Sequence, residues 1–76
     1  MNKERRKQLA HAQELLEEAK SIVEDCMSEE EDYRDNMPEN LMNSEKYERA
    51  DEACESLSSA CDSIDEAISN VEDAQE

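Results

Sequence analysis

An all-α antiparallel two-helix hairpin, coiled-coil-like and assembling into a four-helix bundle dimer or higher oligomer, is the fold this sequence predicts. Two observations carry that prediction. Apolar residues recur at alternating intervals of three and four in both halves of the chain, which is the seam of a coiled coil. The chain also lacks Gly, Trp and Phe and holds a single proline, Pro38, so most of the turn chemistry of a β or α/β protein is missing. Seventy-six residues allow one domain, and a core this small leans on self-association when no disulfide or metal supports it.

The second helix is the cleaner of the two. Tyr47, Ala50, Cys54, Leu57, Cys61, Ile64, Ile68 and Val71 form an unbroken heptad seam. Ala53, Ala60, Ala67 and Ala74 repeat every seven residues beside it. Ser44 is a natural N-cap, and Glu45 suits the positive end of the helix dipole. This helix is placed at 44–74. In the first half the repeat runs Leu9, Ala12, Leu16, Ala19, Val23, Cys26, Glu30 and Tyr33, giving a helix at 3–33. Leu15 and Ile22 add a flanking apolar row.

Residues 34–43, "RDNMPENLMN", form the loop. Asn and Asp favour turns, and Pro38 stops the first helix, with room for one helical turn through Leu41. A connection this short folds long helices back on each other. The matching layers are Tyr33–Tyr47, Glu30–Ala50, Cys26–Cys54, Val23–Leu57, Ala19–Cys61, Leu16–Ile64, Ala12–Ile68 and Leu9–Val71, with a one-heptad shift as the alternative. Such a hairpin leaves Leu15, Ile22, Ala53, Ala60 and Ala67 uncovered, and that stripe is the expected oligomer contact.

Charge narrows the function. There are 23 acids against 8 bases, a formal net charge of −15. Half the bases, Lys3, Arg5, Arg6 and Lys7, stand in a basic head, and no base follows Arg49. An acidic body repels phosphate backbones, so direct nucleic-acid binding through that surface is excluded and a basic protein partner is implied. The partner-binding candidates are the carboxylates outside the second seam: Asp51, Glu52, Glu55, Asp62, Asp65, Glu66, Glu72 and Asp73. An alternative lies at the loop tip, where Tyr33, Arg34, Met37, Leu41, Met42, Lys46, Tyr47 and Arg49 gather. The tip is read either as a small cap on the hairpin or as a binding end.

Catalytic, metal and cofactor chemistry find little footing. Cys26, Cys54 and Cys61 sit on the seams as small apolar residues, with a Cys26–Cys54 redox pair as the sharper reading. His11 is alone, with no nucleophile–base–acid set around it. "SEEEDYRD" (28–35) is acidic enough to attract calcium, but an EF-hand loop needs a glycine at its bend. The expectation is therefore no enzyme activity, no metal and no cofactor. The basic head has no apolar run after it and reads as a solubility element paired with the acidic tail. No segment approaches the ~20 apolar residues of a membrane span, and three cysteines without an export signal read as reduced thiols of a cytosol.

The stretch "YRDNMPENLMNSEKYERADEA" (33–53) resembles small acidic helical proteins of bacteriophages and prophages: a helix, an "NMPENL" turn, then "SEKYE.A" opening a second acidic helix. About 20 residues carry the resemblance. It implies a bacterial host cytoplasm and, by its setting, opposition to host defence. The group has no settled activity, so the resemblance brings no catalytic or binding residue. In charge the body is similar in kind to nucleic-acid mimics that occupy restriction or CRISPR effector grooves. In architecture it is similar to phage proteins that sequester cyclic-nucleotide signals. Three functions follow as expectations: an inhibitory DNA or RNA mimic, an oligomeric sponge for a cyclic nucleotide, or a plain structural adaptor.

Overall fold

The computed structural model describes residues 2–76 and is a helical hairpin. Helix α1 spans Lys3–Asp35, a single 3-10 turn spans Glu39–Leu41, and helix α2 spans Glu45–Ala74. Asn2 caps α1, its side-chain oxygen accepting from the Arg5 N–H at 2.7 Å. Ser44 caps α2 as expected, accepting from the Tyr47 N–H at 3.3 Å.

Helix α1 runs two residues past its predicted end. Asn36 closes it, donating from its side-chain amide to the Asp32 carbonyl at 2.7 Å. Arg34 in that last turn complements the negative end of the dipole. Pro38 then opens the 3-10 turn, whose carbonyl receives the Leu41 N–H at 2.9 Å. No described residue needs a positive φ, so the reversal is made without glycine.

The hairpin is a rod of 59 × 14 × 13 Å with a radius of gyration of 17.3 Å, against about 11 Å for a compact domain of this length. One helix can cover only one side of its neighbour, so the core is a strip. Among the described residues only Met37, Ala50, Cys54 and Cys61 are buried, and α1 contributes no buried residue. The three buried residues of α2 are small, which marks the line where the helices approach most closely.

The seam of α2 is as predicted, but that of α1 drifts. Its inward seam runs Leu9, Ala12, Leu16, Ala19, Val23, Met27, Glu30 and Arg34, all half-buried, with Gln13, Lys20 and Glu31 half-buried beside it. Cys26 and Tyr33, placed in the core by the strict heptad, are exposed instead. An undistorted helix turns every 3.6 residues and slips about 20° per heptad against a 3.5-residue repeat. After two and a half heptads the inward position has moved on by one residue, and flexible Met27 fills it.

Cross-helix contacts also run further along α2 than the predicted layers. Lys20 reaches Asp65 rather than the level of Ala60, Arg34 reaches Asp51, and Gln13 reaches Glu72. Each is five positions on. Long side chains lean toward the N-terminus of their own helix, which accounts for part of the offset. The Cys26–Cys54 layer is not formed: Cys26 is exposed while Cys54 is buried beside Glu30, Glu31 and Arg34.

Candidate functional site

Two surfaces hold the residues singled out from the sequence. The first is the acidic side of α2. Its eight carboxylates do not form one equivalent set. Asp51 receives the Arg34 guanidinium at 3.0 Å, Asp65 the Lys20 ammonium at 2.6 Å, and Glu72 accepts from the Gln13 amide at 3.1 Å. These three lean toward α1 and hold the hairpin together. Glu52, Glu55, Asp62, Glu66 and Asp73 are exposed and have no ion-pair or hydrogen-bond partner among the described residues.

At about 100° per residue, those five carboxylates and Glu48 fall within roughly 80° of one another on the wheel. They form a ridge along the back of α2, about 38 Å from Glu48 to Asp73 at 1.5 Å per residue. Ser59 is the main interruption. Arg49, the one base beside the tip end of the ridge, is paired with Glu45, and no Lys or Arg follows it along α2, so the field of the ridge points outward.

The bases bordering the core are held by this arrangement. The hydrogen bond to Asp65 raises the Lys20 ammonium above its ordinary value, and the bond Arg34 donates to Asp35, with a further one to Asp51, raises the Arg34 guanidinium. Both stay charged. Burial pushes the Cys54 and Cys61 thiols up, the wrong direction for a nucleophile. Among the described residues no three His, Cys, Asp or Glu side chains converge as a metal site, and no helix is long and apolar enough to cross a membrane.

The second surface is the tip. Tyr33, Met37, Leu41 and Lys46 come together around a cavity of 470 Å³, with Glu29, Asp32, Asn36 and Pro38 completing its wall. Met37 turns inward as the cap of the hairpin, while Leu41 and Met42 stay half-exposed. Arg34, Met42, Tyr47 and Arg49 lie outside the cavity. Arg34 is taken by Asp35 and Asp51, and Arg49 pairs with Glu45 one turn back. The three tip bases therefore do not converge. Glu29, Asp32, Asn36 and Pro38 are not among the tip candidates the sequence offers, though Glu29 stands four residues before Tyr33 and so shares its face.

The basic head does not pair with the acidic tail. Among the described residues Lys3, Arg5, Arg6 and Lys7 make no ion pair, and the tail is instead tied by Gln75 donating to Gln13 at 2.9 Å. No family model, curated protein or solved structure matches the chain.

Proposed function

We propose that this chain is a small acidic interaction protein of the phage or prophage type, which inhibits a nucleic-acid-binding host protein by occupying its basic groove. The observation that supports this reading is the ridge from Glu48 to Asp73, with no cation of its own among the described residues. Helices normally intersperse signs and gain ~0.2–0.5 kcal/mol for each i,i+4 pair. Here that gain is forgone along the whole back of α2. A ridge of about 38 Å matches roughly eleven phosphate steps of one DNA strand at 3.4 Å each, and opposite-sign surfaces of that length speed encounter and weaken with salt.

The cyclic-nucleotide reading has less support. It requires Arg34, Lys46 and Arg49 to form a positive pocket, and two of the three are engaged by carboxylates of this chain.

The test is a pull-down from prophage-bearing cells, followed by titration of the captured protein. Affinity should fall steeply between 50 mM and 500 mM salt, and duplex DNA should compete. Replacing Glu52, Glu55, Asp62, Glu66 and Asp73 together with their amides should abolish binding while the circular-dichroism spectrum stays helical. Binding that is indifferent to salt, DNA and these substitutions would leave the plain adaptor reading in its place.

A further inference from the structure

The ion pairs determine which flank of each helix lies on which side of the rod. Lys20, Arg34 and Gln13 meet Asp65, Asp51 and Glu72 on one side. At about 100° per residue, Leu15, Ile22, Cys26 and Tyr33 lie within roughly 40° of each other on the opposite flank of α1. Ala53, Ala60 and Ala67 lie on the opposite flank of α2, in a lane with Ser56, Ser63 and Asn70 that carries no charge between positions 53 and 70; the exposed Glu45–Arg49 pair closes the lane at the tip. The hairpin therefore has one side closed by ion pairs between the helices and one side that, short of the Glu45–Arg49 pair at the tip, is apolar on α1 and uncharged on α2. Leu15, Ile22 and Tyr33 are 51%, 58% and 53% exposed there.

The spacing of this side is self-complementary. Positions 15, 22, 26 and 33 read the same from either end, about a midpoint at Glu24. Positions 53, 60 and 67 do so about Ala60. The two midpoints are level to within a residue, because the register shared by the Lys20–Asp65, Arg34–Asp51 and Gln13–Glu72 contacts sets Glu24 opposite Cys61. One two-fold axis, in the plane of the apolar side and perpendicular to the rod, thus satisfies both stripes.

We infer that the apolar side binds a second copy of this chain, antiparallel, stacking α1 on α1 and α2 on α2 in a four-helix bundle. Leu15 then packs on Tyr33 of the second copy and Ile22 on its Cys26, each contact occurring twice as an isologous interface demands. Ala60 meets Ala60, which lets the α2 helices approach to about 8 Å.

Charge favours the same arrangement. The unpaired head, Lys3 to Lys7, reaches the tip of the second copy, where Glu39 and Glu45 stand. A parallel pair would set the two basic heads against each other. A side of 59 by 14 Å offers roughly 800 Å² per copy, the share of each partner in a standard interface. Glu18 and Glu29 border the stripe, and the carboxylate ridge of each copy stays outward. This inference does not depend on the proposed function.

Sedimentation equilibrium at 0.15 M salt should give twice the chain mass of 8.7 kDa; a monomer or a trimer would overturn the assignment. Ile22→Asp should lose the dimer, while Ser58→Asp on the ion-paired side should keep it. Because Ile22 is exposed in the single hairpin, its substitution is harmless there. A monomeric or an unfolded Ile22→Asp chain therefore supports the interface, and an unchanged mass refutes it. Direction is read from spin labels on Gln8→Cys in a Cys26→Ala background. The antiparallel pair places them about 48 Å apart at 1.5 Å per residue, and a separation near one helix spacing, ~10 Å, overturns it.

Discussion

Ala50 is the least exposed residue of the core strip, at 2%, and it sits where α2 first meets α1 after the turn. Replacing it with leucine adds three carbons at the closest approach of the helices. Were there empty space, each buried methylene would contribute ~0.8 kcal/mol and the variant would gain about 2 kcal/mol. The small residues at positions 50, 54 and 61, all buried, argue that no such space exists. Overpacking of that kind costs ~1–3 kcal/mol. At roughly 4–8 °C per kcal/mol for a chain of this size, a loss of ~2 kcal/mol lowers the melting temperature by about 8–16 °C. Thermal unfolding followed at 222 nm, at one fixed protein concentration, measures it. Ala10→Leu, on the exposed outer face of α1, is the control and should move stability by no more than ~0.5 kcal/mol. A rise in melting temperature for Ala50→Leu would refute the close approach and the strip-like core built on it.

Three further outcomes are expected. Ser44→Ala removes the side-chain acceptor of the Tyr47 N–H and should cost ~1 kcal/mol, restored by Ser44→Asp; the denaturation midpoint reads both. Stability should fall in alkali: the folded thiols of Cys54 and Cys61 are held above their ordinary 9.0, so unfolding is favoured as pH rises past that value. Lys20 adds to the fall, since its ion pair with Asp65 is fully present below the ordinary 10.5 and is lost as pH rises through its raised value. A flat profile between pH 8 and 11 would show that neither environment is as described. Finally, iodoacetamide at pH 8 should modify Cys54 and Cys61 only at the rate of unfolding, which mass spectrometry of timed samples tests directly. Rapid modification of either would mean the strip opens freely.

Much of the architecture is legible in the sequence. Ser44, Pro38 and the unbroken seam from Tyr47 to Val71 act through local geometry alone, and they placed α2 and the turn. The departures all depend on the other helix. Cys26 and Tyr33 left the core because periodicity in a string does not record whether a helix will be under-wound. Asp51 and Asp65 left the set of free carboxylates because Arg34 and Lys20 reach them from 17 or more residues away in sequence. Glu29 and Asp32 joined Tyr33 around the tip cavity because the turn folds Met37, Pro38 and Leu41 back over the last turns of α1.

By itself the sequence determined that the chain is helical, reverses once near Pro38, and is strongly negative, because helix propensity, capping and charge are properties of each residue and its near neighbours. Only the tertiary structure decided which residues of α1 face inward, which acids remain unpaired, and that Cys26 and Tyr33 join Leu15 and Ile22 on the uncovered side of the rod. Those outcomes are set by the angle at which two independent helical periods meet, and a drift of 20° per heptad is enough to change them.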